Sequence, residues 1–237
     1  RPRMKPIKLC TALATALLLS LPFAAFAQEA EEETPLVNWS LAATSDYVWR
    51  GVSQSDENPT GQAGLTFNIP GGFYAGAWGS GVDFGGNDPQ LEIDYFVGYN
   101  VDFSENVNFD VMVNRYTYPD AAGLNFAELI TKTTFADTYS LTVAYSDDFG
   151  GTDEDAWYFN AGGEWGLPND YSFNAGVGYN KTEDALGENY VDWNLGFSKS
   201  WGMVSASLGY VGTNGKGDDL FGKFADDRVV FTLSVGN

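Results

Sequence analysis

Charged side chains at alternating positions of apolar segments are the residues of this chain best suited to chemistry. Glu92 and Asp94 lie two residues apart in such a segment, within residues 90–99. The other members of this set are Asp110, Glu128, Lys132, Glu164 and Asp192. Carboxylates of this kind can transfer protons, bind cations or line a hydrated passage. Which of these functions is possible depends on the secondary-structure elements that bring the charged residues together.

Most catalytic and metal-binding chemistry is excluded by composition. The chain has no histidine, so a serine nucleophile activated by imidazole and a metal site built on imidazole are both unavailable. Glu92 and Asp94 would lie about 7 Å apart on one strand, and carboxylates in this position are common in simple channels. We predict that the protein is not an enzyme and has no catalytic, metal-binding or cofactor-binding residues.

Two acidic segments, residues 83–88 and 147–155, offer the oxygen ligands that calcium prefers. Their spacing matches no calcium-binding loop. We interpret both as solvated surface loops and not as dedicated metal sites.

The elements that position the charged residues are short segments with a period of two. In residues 139–146, tyrosine, leucine and valine alternate with serine, threonine and alanine, which is the pattern of a β-strand with one apolar face. The predicted strands are 37–48, 60–69, 73–82, 90–99, 107–118, 124–134, 138–146, 156–165, 171–180, 189–199, 203–211 and 228–235. The sequence therefore predicts an all-β protein, a transmembrane antiparallel up-and-down β-barrel of about twelve strands.

The connections between these strands alternate in length, as they do in outer-membrane barrels. The short ones are 70–72, 135–137, 166–170 and 200–202, and the long, polar ones are 51–59, 83–89, 119–123, 147–155, 181–188 and 212–227. One connection, 100–106, is moderately long where a short one is expected. An even number of strands places both ends of the barrel on one side.

Residues 1–27 are predicted to be a cleaved signal peptide. Basic residues precede an apolar run of about thirteen residues that is too short for a membrane-spanning helix, and a small-x-small cleavage site follows at 25–27. The single cysteine, Cys10, would be removed with it. Residues 28–36 are predicted to be an acidic periplasmic N-terminal tail, and residues 37–237 the barrel.

The charge of the mature chain excludes some partners. Four of the twelve basic residues lie in the predicted signal peptide and all thirty-two acidic residues lie after it, so eight bases remain against thirty-two acids, a net charge of −24. Binding to nucleic acid requires clustered lysine and arginine, and the sequence contains no such cluster. Nucleic acid is therefore not an expected partner.

Several local patterns carry a resemblance to a known family. They are Ser45-Asp46-Tyr47-Val48-Trp49-Arg50-Gly51-Val52-Ser53-Gln54, Gly72-Phe73-Tyr74-Ala75-Gly76-Ala77-Trp78-Gly79-Ser80 and Glu92-Ile93-Asp94-Tyr95-Phe96-Val97-Gly98-Tyr99. The chain resembles the TorF-like porins, proteobacterial outer-membrane proteins of unknown function. The resemblance covers nearly the whole mature chain and implies an outer-membrane barrel with a channel. It implies no catalytic or ligand-binding residue.

The alternation divides the charged residues between the two faces of the barrel. Glu92, Asp94, Asp110, Glu128, Lys132, Glu164 and Asp192 are predicted to line the lumen, because charge facing lipid is costly. Arg115 shares parity with Val111 and Val113, so it requires a bulge or a position at the mouth. The position of Arg50 is left open.

The lumen can be interpreted in two ways. Acids outnumber bases there, which favours a hydrated passage for cations or neutral solutes. Alternatively, the acids pair with Lys132, Arg50 and Arg115 in a closed barrel. Small lumenal residues could mean space, or tight packing of their larger neighbours.

We predict a porin in the outer membrane of a Gram-negative bacterium, allowing passive diffusion of small hydrophilic solutes with a mild cation preference. Its expected partners are outer-membrane lipid, lipopolysaccharide and the barrel assembly machinery. A non-conducting structural or adhesive barrel is the alternative.

Overall fold

The computed structural model describes residues 35–86 and 89–237. The predicted signal peptide and most of the predicted acidic tail lie outside the described residues. The described strands are β1 (Val37–Thr44), β2 (Val48–Trp49), β3 (Val52–Ser53), β4 (Thr60–Ile69), β5 (Phe73–Gly81), β6 (Leu91–Ser104), β7 (Val107–Thr117), β8 (Phe126–Phe135), β9 (Tyr139–Ser146), β10 (Ala156–Leu167), β11 (Tyr171–Lys181), β12 (Tyr190–Trp201), β13 (Val204–Thr213) and β14 (Arg228–Gly236).

Twelve of these strands form one closed antiparallel barrel. Each strand pairs with its neighbour along the chain, except that β1 skips the short β2 and β3 and pairs with β4. The barrel closes where β1 pairs with β14, with Leu41 opposite Val235. The predicted fold class, an all-β antiparallel up-and-down barrel of about twelve strands, is confirmed.

Burial follows the period-two pattern of the strands. In β4 every odd residue, from Gly61 to Ile69, is exposed, and every even residue is half-buried. The exposed face is apolar in nearly every strand, whereas the interior face carries most of the polar and charged side chains. The alternation in sequence therefore specifies which side chains point into the barrel.

Tight turns and long loops lie at opposite ends of the barrel. At the turn end, Ala136 and Asp137 both have positive φ, at 50° and 52°, which suits the twist of a two-residue hairpin. The prediction of a moderately long connection at 100–106 is wrong. Strand β6 continues to Ser104 and leaves only residues 105–106 as a turn, with a register shift between Asp102 and Ser104.

The loop end contains the described helices. They are α1 (Glu183–Leu186), α2 (Gly215–Phe221) and three short 3-10 helices at Ala122–Leu124, Phe149–Gly151 and Gly222–Ala225. None of the described helices is long and apolar enough to cross a membrane. The helices belong to the connections after β7, β9, β11 and β13.

The first predicted strand, 37–48, is wrong at its end. Strand β1 stops at Thr44, and the following chain forms β2 and β3, a two-stranded hairpin separate from the barrel wall. Arg50 and Gly51 form its tip with φ of 48° and 80°. An extended strand cannot continue through two residues in this conformation, so the chain leaves the wall here.

Candidate functional site in the barrel interior

All seven charged residues predicted to line the lumen share the parity of the interior face. Glu92, Asp94, Asp110, Glu128 and Asp192 are buried, and Lys132 and Glu164 are half-buried. In β6 the contrast is direct, because Glu92, Asp94 and Phe96 are buried whereas Tyr95 and Val97 are more than half exposed.

The seven residues form two groups along the barrel axis. Glu92, Asp94, Glu128 and Asp192 lie near the loop end of their strands, and Asp110, Lys132 and Glu164 lie toward the turn end. We call them the loop-end group and the turn-end group. They lie in different surroundings, because the β2–β3 hairpin reaches only the loop-end group.

The hairpin crosses the interior and brings Arg50 to Glu128 on the far wall. The guanidinium donates two hydrogen bonds to this carboxylate, Nη1 to Oε1 at 3.0 Å and Nη2 to Oε2 at 2.8 Å. The side chains of both residues are at most 4% exposed. A bidentate pair of this kind fixes direction as well as charge, so it holds the hairpin tip against the wall.

Aromatic rings enclose the same guanidinium. The Cζ atom of Arg50 lies 4.3 Å from the ring centroid of Trp49 and 4.1 Å from that of Tyr158. Tyr116 donates a hydrogen bond of 3.0 Å to Glu128. Cation–π contacts strengthen when the charge is desolvated, so the packing and the ion pair support each other.

The base of the hairpin is held by Asp46. Its Oδ1 accepts hydrogen bonds from the hydroxyls of Ser53 at 2.7 Å and Ser55 at 2.9 Å, and its Oδ2 accepts one from Arg228 at 2.8 Å. The next residue, Tyr47, donates a 3.0 Å hydrogen bond to Glu92. The hairpin is thus attached to the wall at both its base and its tip.

Gly51 allows the tip to approach the wall at β12 and β13. A Cβ atom there would lie 2.6 Å from the Cγ2 atom of Thr213 and 2.9 Å from the Cβ atom of Asp192. Its φ of 80° is also one that other residues rarely adopt. Only glycine fits this position without a shift of the backbone or the wall.

The remaining loop-end carboxylates also have partners. Asp192 accepts hydrogen bonds from Asn180 at 2.8 Å and Tyr158 at 3.3 Å, and Asp94 accepts one from Asn114 at 3.0 Å. Some buried atoms lack a partner in the described part of the chain, namely Oδ1 of Asp94, Oδ1 of Asn114, Nε of Arg50 and Nε1 of Trp49. The loop-end group is therefore a dense network with a few unsatisfied polar atoms.

Two apolar clusters fill the interior around this network. One lies beneath the loops and consists of Tyr47, Val82, Tyr116, Tyr118, Phe126, Phe149 and Ala156. The other lies along the wall and consists of Phe96, Met112, Ile130, Ala144 and Tyr158. Bulky side chains of the interior face are thus packed against one another.

Small interior residues accommodate rings instead of leaving space. A Cβ at Gly98 would lie 2.3 Å from the ring of Tyr74, and one at Gly76 would lie 2.5 Å from the ring of Phe96. At Gly178 it would lie 2.5 Å from the hydroxyl of Tyr158. Of the two interpretations of these small residues, tight packing of larger neighbours holds at these three positions.

The turn-end group is less uniformly buried, because Lys132 and Glu164 are half-buried whereas Asp110 is buried. Asp110 accepts hydrogen bonds from Tyr74 at 2.7 Å and Asn100 at 3.1 Å, and it lies opposite Lys132 in the β7–β8 register. Lys132 interacts electrostatically with both Asp110 and Glu164. This part of the interior has one base between two acids, and no hairpin crosses it.

The sequence offered all the lumenal acids as possible partners of Arg50 without singling out Glu128, because Arg50 falls between the predicted strand 37–48 and the predicted loop 51–59. The signal was the Trp49-Arg50-Gly51 sequence, which interrupts the alternation with a charge and a glycine.

Arg115 was expected at a bulge or at the mouth. It is exposed on the outward face of β7, two residues before the loop end of that strand.

The described residues include no group of three histidine, cysteine, aspartate or glutamate side chains that could hold a metal ion. The long acidic loops are no exception. In the loop after β9, Asp148 accepts a hydrogen bond from the backbone N–H of Asp153.

Comparisons with known proteins place this geometry in context. A family model described as "Bacterial protein of unknown function (Gcw_chp)" matches residues 29–235. No curated protein matches the chain. Solved structures do match, at identities so low that they show the fold alone.

The KdgM porin is 8% identical, with a TM-score of 0.54, over 84% of this chain and 96% of that chain. The same values describe a structure titled "KdgM porin in complex with disordered oligogalacturonate". The NanC porin is 7% identical, with a TM-score of 0.54, over 84% of this chain and 97% of that chain. The chain is thus similar in fold to porin barrels across most of its length.

Proposed function

The chain belongs to the Gcw_chp family of bacterial proteins of unknown function, and we propose that it is a porin of the Gram-negative outer membrane. The proposal includes passive diffusion of small hydrophilic solutes with a mild preference for cations, and membership of the narrower TorF-like group. Its fold supports the proposal, because similar barrels are porins. A signal peptide at residues 1–27 and insertion by the barrel assembly machinery complete it.

The observation that carries the cation preference is the charge of the interior. The loop-end group has four carboxylates, and the hairpin contributes one guanidinium, from Arg50. The turn-end group has two carboxylates and one ammonium. An excess of negative charge along a passage attracts cations and repels anions.

The same charge argues against an anionic substrate. One similar structure is titled as a complex with an oligogalacturonate, which is an anion at neutral pH. The interior of this chain would repel such a molecule. We therefore propose small neutral or cationic solutes instead.

The hairpin would set the narrowest point of the passage. It spans the interior between its base at Asp46 and its tip at Arg50, at the level where Tyr116 is 2% exposed and Ile130 is fully buried. Solutes would have to pass beside it or displace it. Catalytic activity is not part of the proposal, and the absence of histidine is in keeping with this.

Single-channel recording tests the proposal. The mature chain is refolded into a planar bilayer with a salt gradient across it, and we expect discrete steps with a reversal potential that indicates cation preference. Glu164→Gln, in the half-buried turn-end group, should reduce that preference, whereas Glu154→Gln, on an exposed loop, should not change it. Silence from a folded and inserted barrel would contradict the proposal.

A second function is favoured by the packing itself. The ion pair of Arg50 and Glu128 and the buried ring cluster could close the interior completely, which would make the protein a non-conducting structural or adhesive barrel. The double variant Arg50→Ala with Glu128→Ala separates the two functions, because it removes both charges of the attachment. If this variant is folded but still silent, the closed barrel is favoured.

A further inference from the structure

The outward face of the barrel has positive charges but no negative ones. Among the exposed-face residues of the twelve wall strands, the charged side chains are Arg115, Lys181 and Lys199. This bias is marked in a chain with thirty-two acidic residues and twelve basic ones. An outer face with only basic charges is complementary to anionic groups at the boundary of a membrane.

Arg115 is the one of these three without a protein partner among the described residues. Lys181 lies 4.0 Å from Asp184, and Lys199 donates a hydrogen bond to the carbonyl of Asn169. Arg115 lies opposite Tyr95 and Ala127 on the neighbouring strands, and no described carboxylate forms an ion pair with it.

The depth of Arg115 suggests its partner. It lies two residues from the loop end of β7, above the outward-facing Val113 and Val111. A cation in the apolar band is costly, and the cost falls toward the headgroups. The planar guanidinium donates paired hydrogen bonds to phosphate, so a lipid phosphate fits this position.

A row of residues leads from Arg115 across the outward face to an apolar groove. The register places Arg115, Tyr95, Ala77, Leu65 and Trp39 in one row across β7, β6, β5, β4 and β1. The row starts near the loop end of β7 and finishes near the turn end of β1, about 19 Å away for four strand spacings. It therefore slopes across the band.

The groove covers the part of this row that begins at Ala77. Ala63, Ala77 and Gly79 are among its small lining residues, and Trp39, Leu41, Leu65 and Ile93 are among its larger ones. It has a volume of about 380 Å³ and is lined mainly by apolar atoms. Arg115 lies two strands from Ala77, about 10 Å away, so the headgroup of a lipid whose acyl chain lies in the groove would be within reach of the guanidinium.

We propose that Arg115 and this groove form a binding site for lipopolysaccharide, with a phosphate on the guanidinium and an acyl chain along the groove. The site rests on the outer-membrane location in the proposed function. A second copy of the chain fits less well, because the exposed strand faces offer no carboxylate to Arg115 and a symmetric contact would bring like charges together.

Titration of the purified barrel in detergent with lipopolysaccharide, followed by native mass spectrometry, tests the site. Arg115→Gln should weaken binding about tenfold, the loss expected for a charge-assisted hydrogen bond, and Arg115→Lys should weaken it less. Ala77→Leu fills the groove without a change in charge and should also weaken binding. Lys199→Gln, near the turn end, is the matched control and should bind as the wild type does.

Three results would overturn the site. They are unchanged binding by Arg115→Gln, equal weakening by Lys199→Gln, and equal affinity of the wild type for phosphatidylglycerol, which would indicate a general lipid phosphate contact. Unchanged binding by Ala77→Leu would remove the groove from the proposal. Conductance measured on the same preparations keeps the two proposals apart, because a silent barrel that binds lipopolysaccharide through Arg115 contradicts only the porin function.

Discussion

The loop-end and turn-end halves of the interior both contain acids and a base but use them differently. At the loop end, Arg50 and Glu128 are paired in two parallel hydrogen bonds, enclosed by rings and removed from water. At the turn end, Lys132 and Glu164 are half-buried, and no hairpin covers them.

This difference separates structural charge from functional charge. Breaking a buried ion pair leaves one charge desolvated without compensation, so the loop-end charges should control stability and the position of the hairpin. Charges in contact with water are screened and contribute little to stability, but ions in the proposed passage would still sense them. The two half-buried turn-end charges, Lys132 and Glu164, should therefore control selectivity with little effect on folding.

Removal of the Glu128 charge is the most severe test of the comparison. Glu128→Gln leaves the Arg50 guanidinium buried without a counterion, and we expect a loss of about 3–5 kcal/mol in the free energy of unfolding. Glu164→Gln at the turn end, where the side chain is half-buried, should cost about 1 kcal/mol or less, because a charge in contact with water contributes little to stability. Urea titration of both variants followed by tryptophan fluorescence measures the difference. Equal losses of unfolding free energy in the two variants would contradict the division between structural charges at the loop end and hydrated charges at the turn end.

A methyl group added to the wall should also discriminate between the halves. A Cβ at Gly178 would lie 2.3 Å from Oδ2 of Asp192 and 2.5 Å from the hydroxyl of Tyr158. Overpacking of this kind costs about 1–3 kcal/mol, so Gly178→Ala should lower the free energy of unfolding by that amount. Gly166→Ala at the turn end of β10 is the control, because a Cβ there meets nothing within 4 Å. A neutral effect at both positions would indicate that the loop-end interior can rearrange.

The fold could be predicted from the sequence because its determinant is local. Alternation of the kind seen in β9 assigns each residue to a face, and short connections force neighbouring strands to pair. The barrel closure between β1 and β14 then follows from the number of strands.

The hairpin could not be predicted in this way, because its contacts are between residues far apart in sequence. Arg50 and Glu128 are separated by 78 residues, and the pairing of Asp46 with Arg228 spans 182. No periodicity encodes such contacts. Alternation assigns a charged residue to a face of the wall. It does not show which of these residues the hairpin reaches, so the division into a loop-end and a turn-end group was not predictable.

The selectivity of the proposed passage should depend on the turn-end base, Lys132. Lys132→Gln removes the positive charge between Asp110 and Glu164, which should raise the ratio of cation to anion permeability two- to fivefold, roughly the effect of 1 kcal/mol or less of Coulomb energy in water. Reversal potentials in a salt gradient measure this ratio. The free energy of unfolding should be nearly unchanged. A large loss of stability without a change in selectivity would place Lys132 with the structural charges.

Removal of an ion pair in the loops, outside the barrel wall, should have the smallest effect on stability of these changes. Lys216 donates a hydrogen bond of 2.6 Å to Glu188, and this bond lowers the pKa of the carboxyl group and raises that of the ammonium. The stabilisation from the Glu188 shift is present above its ordinary pKa of about 4.3 and disappears as the pH falls through the lowered value. That from Lys216 is present below about pH 10.4 and disappears as the pH rises through the raised value.

Glu188→Gln should therefore have its full effect at pH 7 and a smaller one at pH 3. Both side chains are exposed, so the effect should be confined to the loop and visible as faster amide hydrogen exchange in α2, each variant being compared with the wild type at the same pH. Asp219→Asn, in the same helix, is the control and should exchange as the wild type does. An exchange difference that is as large at pH 3 as at pH 7 would mean that Glu188 acts through packing. A change in the global free energy of unfolding would mean that the loops unfold together with the barrel.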